Sequence, residues 1–155
     1  MHFPLQIYTM NSGTAKSINI FLADDDNDDC LFFRDALEEL AAETQLTIAN
    51  NGAELMSLLN KTTQLPHAIF LDLNMPRKNG FECLKEIRET PRFKDIPVII
   101  FSTSANMDSI NKTYSLGANY YVRKPRTFDM LKEVIKTILS IDMPQQQSKE
   151  RFLLR

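Results

Sequence analysis

Residues 68–72, Ala68-Ile69-Phe70-Leu71-Asp72, decide how the rest of the chain is read. Four apolar residues in succession, without alternation, describe a strand covered on both faces. Such strands belong to parallel sheets flanked by helices. The run ends on a carboxylate. In open sheets of this kind ligands bind beyond the carboxyl ends of the strands, so Asp72 stands where chemistry is expected.

Working outward, the same pattern recurs. A strand is predicted from about Ile18 to Ala23, ending in Asp24-Asp25-Asp26. Leu46-Thr47-Ile48 forms a short one, Pro97 to Phe101 leads into Ser102-Thr103-Ser104, and Asn119 to Arg123 leads into Lys124-Pro125. Between them lie helical spacings. Cys30, Phe33, Leu37 and Leu40 form one stripe, with Asp26 or Asn27 as the N-cap. Asn50-Asn51-Gly52 opens a second helix through Leu59, and a loop follows from Lys61 to Pro66. Gly80 to Glu89 is a third, with Phe81, Leu84 and Ile87 or Arg88 inward. Met107, Ile110 and Tyr114 mark a fourth, closed by Gly117, and Phe128 to Ile141 makes the last. The βα alternation predicts an α/β fold, a doubly wound five-stranded parallel sheet.

The bulk composition narrows the function. A chain of 155 residues reads as one domain over 17–142, with a leader over 1–16 and a tail over 143–155. Eighteen basic against 20 acidic residues, a net charge of −2, argue against nucleic acid or an anionic membrane as partner. No apolar run approaches the length of a membrane span, and the N-terminus lacks the basic start of a secretory signal. Cys30 and Cys83 read as small reduced thiols, in keeping with a cytoplasmic protein. Too few residues follow Ile141 for an output domain, so output is expected through protein–protein contact. The stretch Gln145 to Ser148 is linker-like, while Arg151-Phe152-Leu153-Leu154-Arg155 is more apolar than a solvated tail requires. Fraying and packing on a partner or a second copy, as in a homodimer, both fit it.

Folded as a parallel sheet, the strand ends bring Asp24, Asp25, Asp72, Ser102 and Lys124 to one patch. Like charges about 4 Å apart at an effective dielectric of ~20 repel by roughly 4 kcal/mol per pair. A divalent cation relieves this, and all-oxygen ligands select a hard ion such as Mg²⁺. Lys124 and the Ser102 hydroxyl are suited to hold an oxyanion. A carboxylate attacking phosphorus fits the set, with an acyl phosphate as product. Taken alone, the acidic run is equally a helix cap.

From about Ile18 to Ile141 the chain resembles the receiver domains of two-component response regulators. Phe21 to Asp26, Leu71-Asp72-Leu73-Asn74-Met75-Pro76 with Gly80, Ser102, and Lys124-Pro125 carry the likeness. The resemblance implies the (βα)5 flavodoxin-like, CheY-like form, with Asp72 as phosphoacceptor from a sensor histidine kinase or phosphotransfer protein. It implies Mg²⁺ held by Asp25, Asp72 and the Asn74 backbone carbonyl, with Asp24 acting through water; Asp26 is left to capping. Lys124, Ser102 and the Thr103 backbone N–H would contact the phosphoryl group. Tyr121 would be a switch, its ring turning into space vacated by Ser102 so that a downstream target is bound differently. Ordinary strand filling explains that ring too. A cis bond before Pro125 is also implied.

Three features depart from the common pattern: Thr103 in place of a smaller residue, Arg126 after Pro125, and a longer loop over 60–66. With the Ser102-Thr103-Ser104 run, they resemble the small stand-alone regulators of phytochrome-type sensor kinases. Two other classes compete. A hydrolase with an aspartyl-phosphate intermediate would want a carboxylate where Asn74 stands. A flavin carrier would need a phosphate loop where Asp24-Asp25-Asp26 would repel one.

Overall fold

The computed structural model describes residues 17–40, 43–141 and 147–154. The leader expected over 1–16 lies outside these residues, as do residue 142 and, of the tail, residues 143–146 and 155. The elements run β1 (Ile18–Ala23), α1 (Asn27–Leu40), β2 (Thr44–Ala49), α2 (Gly52–Lys61), β3 (Ala68–Leu71) and α3 (Gly80–Glu89). They continue with β4 (Val98–Ser102), α4 (Met107–Ser115), β5 (Tyr120–Arg123), α5 (Phe128–Ser140), α6 (Lys149–Phe152) and β6 (Leu153–Leu154). All strand pairs are parallel, in the order β2-β1-β3-β4-β5-β6.

Every residue of β3 and β4 is buried, as their unbroken apolar sequences require. Successive residues feed opposite sides of the sheet. Ile69, Leu71 and Ile100 pack with Leu55, Leu84 and Ile87 beneath α2 and α3. Phe70, Ile99 and Phe101 pack with Phe33 and Ile135 beneath α1 and α5. On that second side Phe33 meets Phe70 edge-on, with ring centres 4.9 Å apart. Helix starts are fixed by polar caps. Asn51, Asn79, Asn106 and Thr127 each accept from a backbone N–H in the first turn, and Glu82 completes a capping box in α3. Of the two candidates for α1, Asp26 is the cap, its Oδ1 accepting from Asp29 N at 3.0 Å.

Three expectations are corrected. Met107, placed on the inner face of its helix, is 63% exposed, because it opens α4 and the helix turns Ile110 and Thr113 inward instead. The sheet has a sixth strand. The apolar segment packs on its own chain: β6 pairs with β5, setting Leu153 beside Tyr121 and Leu154 beside Val122. Phe152 is fully buried, edge-on to Tyr114 at 5.2 Å and to Tyr121 at 6.2 Å between ring centres. Without this segment β5 would be a bare edge strand, which folded proteins tend to cover. Finally, the bond before Pro125 is trans, as every described peptide bond is. Trans is the ordinary preference of an X–Pro bond, and the turn here closes in that form with Lys124 N donating to Ser102 O at 2.8 Å.

Arg88, one of two residues placed at the inner side of α3, is a structural staple. Its guanidinium donates to the carbonyls of Gly117 and Ile96 at 2.8 Å, to Lys94 at 3.0 Å, and to Asn119 Oδ1 at 2.9 Å. No helix among the described residues is long and apolar enough to cross a membrane.

Candidate functional site

The site follows from strand order. The order of the strands reverses at β1, whose neighbours are β2 and β3, and the crevice at such a point binds ligands. The β1–β3 register sets Ala23 beside Leu71, so the next residues, Asp24 and Asp72, leave the sheet together. Asp72 N donates to Ala23 O at 2.9 Å, which fixes the exit. Asp24 is wholly buried, Asp72 is 6% exposed, and Asp25 is open to solvent.

One carboxylate oxygen from each of Asp24, Asp25 and Asp72 lies within 4.8 Å of the others. That is the crowding expected from the sequence, and the donor set is all oxygen. Asp24 Oδ2 is buried and lacks an aligned hydrogen bond. The Lys124 ammonium lies 2.7 Å from it, an ion pair without good donor geometry. Burial pushes the Asp24 carboxyl up to about 6, against the pull of Lys124 and of the Asp26 N–H. A buried carboxylate oxygen without an aligned hydrogen bond, beside two more carboxylates, fits a hard divalent cation.

Asn74 lies in the loop beyond Asp72, exposed, its N–H 3.4 Å from Asp72 Oδ1. This loop folds tightly because Gly80 has no side chain. A Cβ there would collide with the Asp72 carbonyl oxygen, while Gly80 N donates to Leu73 O at 3.0 Å. Arg77 in the same loop takes a left-handed backbone with φ 68°.

Lys124 enters from the end of β5. Its Nζ lies 2.7 Å from Asp24 Oδ2, 2.9 Å from Asp29 Oδ2 and 3.2 Å from Asp72 Oδ2. Burial alone would lower its pKa, but the carboxylates of Asp24, Asp29 and Asp72 outweigh burial and raise it. Ser102, fully buried at the end of β4, accepts at Oγ from Ser104 N at 3.3 Å. The Thr103 side chain faces solvent. Tyr121 is fully buried with its hydroxyl donating to the Ser104 carbonyl, so its ring already lies inward. Asp24, Asp25, Asp72 and Lys124 thus come together as read from the sequence. Asp29 joins them unannounced.

A family model for the response regulator receiver domain matches residues 20–136. The chain belongs to that family. Among relatives of the receiver, the response regulator Rcp1 of Synechocystis is 33% identical over 128 residues, covering 79% of this chain and 85% of that protein. A probable chemotaxis protein CheY of Rhizobium etli is 30% identical, covering 80% and 94% respectively. The crystal structure of phosphorylated RcpA, a cyanobacterial phytochrome response regulator, matches with a TM-score of 0.74 at 34% identity, covering 79% of this chain and 91% of that one. The Mn²⁺-bound form of Rcp1 matches with a TM-score of 0.74 at 30% identity, covering 81% and 98%. Receiver domains bind a divalent metal, and this chain carries an acidic cluster of Asp24, Asp25 and Asp72.

Proposed function

We propose that this receiver takes a phosphoryl group from the phosphohistidine of a sensor kinase or phosphotransfer protein onto Asp72, with Mg²⁺ as its metal. The reading rests chiefly on the gathering of three carboxylates, Asp24, Asp25 and Asp72, two of which also lie beside the Lys124 ammonium. Asp25, the Asp72 carboxylate and the Asn74 backbone carbonyl would hold the ion, with Asp24 reaching it through water. When bound, the ion neutralises negative charge and screens the phosphoryl oxygens from the carboxylates.

An oxygen of Asp72 attacks phosphorus in line with the P–N bond of the donor. The new O–P bond forms as the P–N pair returns to the imidazole, which leaves and takes up a proton. Lys124, already beside Asp72 Oδ2, supplies positive charge to the phosphoryl oxygens in transit. The Ser102 hydroxyl and the Thr103 N–H donate to the same oxygens. Movement of Ser102 reaches Tyr121 through Ser104, which hydrogen-bonds to both. The protein thereby assists the gain and loss of its own phosphoryl group, and it signals by changing the face around Tyr121 that a target protein reads.

The test is intact-mass measurement after incubation with Mg²⁺ and a small acyl phosphate. One phosphoryl group per chain is expected on the parent, none on Asp72→Asn, and none after chelation of the metal. Labelling of Asp72→Asn at the parent's rate, or sustained turnover of phosphate esters, would overturn the assignment.

A further inference from the structure

The Lys124 ammonium has three N–H groups and faces three carboxylates. Asp24 and Asp72 belong to the strand-end cluster. Asp29 stands apart from it on the first turn of α1, yet its Oδ2 lies 2.9 Å from Lys124 Nζ, closer than Asp72 Oδ2 at 3.2 Å. Its position is fixed from below, since Asp29 N donates to Asp26 Oδ1 at 3.0 Å. Its side chain is 38% exposed, against 1% for Asp24.

We propose that Asp29 is a positioning residue that restrains Lys124 through this ion pair and so limits how readily Asp72 captures a phosphoryl group. The inference rests on the proposed function. A phosphoryl group on Asp72 presents new anionic oxygens to the ammonium, whose three donors cannot serve them and all three carboxylates together. One partner must be given up. Releasing Asp24 would leave a buried charge without its counter-ion, which is costly. Asp29 is partly exposed, and water replaces the lysine there at small cost. Asp29 is accordingly the partner that Lys124 leaves, and its hold opposes the transfer until then. Asp28, on the same helical turn and carrying the same charge, is exposed and makes no ion pair with Lys124, which provides a matched control.

The experiment follows the rate of Asp72 labelling by a small acyl phosphate with saturating Mg²⁺. Asp29→Asn is expected to label about two- to fivefold faster than the parent, the span of partly exposed ion pairs. Asp29→Glu, which keeps the charge within reach of Lys124, and Asp28→Asn are expected to stay near the parent. In a Lys124→Met background, Asp29→Asn is expected to add nothing, which a general structural or charge effect would not reproduce. Should Asp29→Asn fold poorly by thermal unfolding, Asp29→Gln makes the same comparison. The inference is overturned if the Asp29 amide variant labels no faster than the parent, if Asp28→Asn gains equally, or if the gain survives without Lys124. A parent that labels while Asp29→Asn matches it defeats this inference alone. A parent that never labels defeats the proposed function beneath it.

Discussion

Asp24 shows how a single residue can carry a pH response. Burial holds its carboxyl up at about 6, above the ordinary 3.8, so the folded chain binds this proton more tightly than the unfolded chain does. The contribution to stability is therefore full below the ordinary value and is lost as pH rises through about 6. A cation in the cluster reverses that trend, because it favours the ionised form that burial opposes. The rise in melting temperature on adding Mg²⁺ is expected to be larger at pH 7.5 than at pH 5, measured by thermal unfolding at both. An equal or larger rise at pH 5 would show that Asp24 does not face the ion. At this scale the sequence was readable where strand ends supplied the context, as for Asp72 and Asp25. It was opaque for Asp29, since an acid in the first turn of a helix is sufficiently explained by the helix itself. Its lysine partner lies 95 residues away, a distance that helical periodicity does not reach.

Among the elements, the pair α6 and β6 carries the least expected structure. An aromatic residue beside two leucines was more apolar than a solvated tail requires, but pattern alone left both fraying and packing on a partner open. The partner is the free edge of β5, and strand pairing there depends on tertiary geometry rather than on local propensity. Phe152 fills the space beside Tyr114 and Tyr121. Phe152→Ala is expected to cost about 3 kcal/mol in urea unfolding, the low end for a buried phenylalanine, because the short segment can come away as a unit and cap the loss. A variant as stable as the parent would mean that the segment is undocked in solution. The longer elements were legible because strong apolar patterns meet clear stops: an acid or hydroxyl after β1, β3 and β4, and aspartate, asparagine or threonine before the helices from α1 to α5. Arg88 was harder, since a charged residue bordering an apolar stripe reads equally as solvated. Only the carbonyls around it, from four separate residues of chain and side chain, draw it inward.

At the scale of the molecule, a parallel sheet with covered faces delivers distant residues to one rim. Asp24, Asp72 and Lys124 are dispersed in the chain but meet because β1, β3, β4 and β5 are adjacent and point the same way. The apolar core on both faces anchors the strands that end at that rim, so Asp24 and Asp72 leave the sheet side by side. The family match and the structural neighbours agree with this arrangement and with binding of a divalent metal. The most direct test is calorimetric titration of Mg²⁺ into the parent and into Asp25→Asn at neutral pH. One ion per parent chain is expected, with affinity at least about tenfold weaker in the variant, equivalent to roughly 1.4 kcal/mol. Equal binding by both proteins, or none by the parent, would contradict the claim that these carboxylates are gathered around a cation.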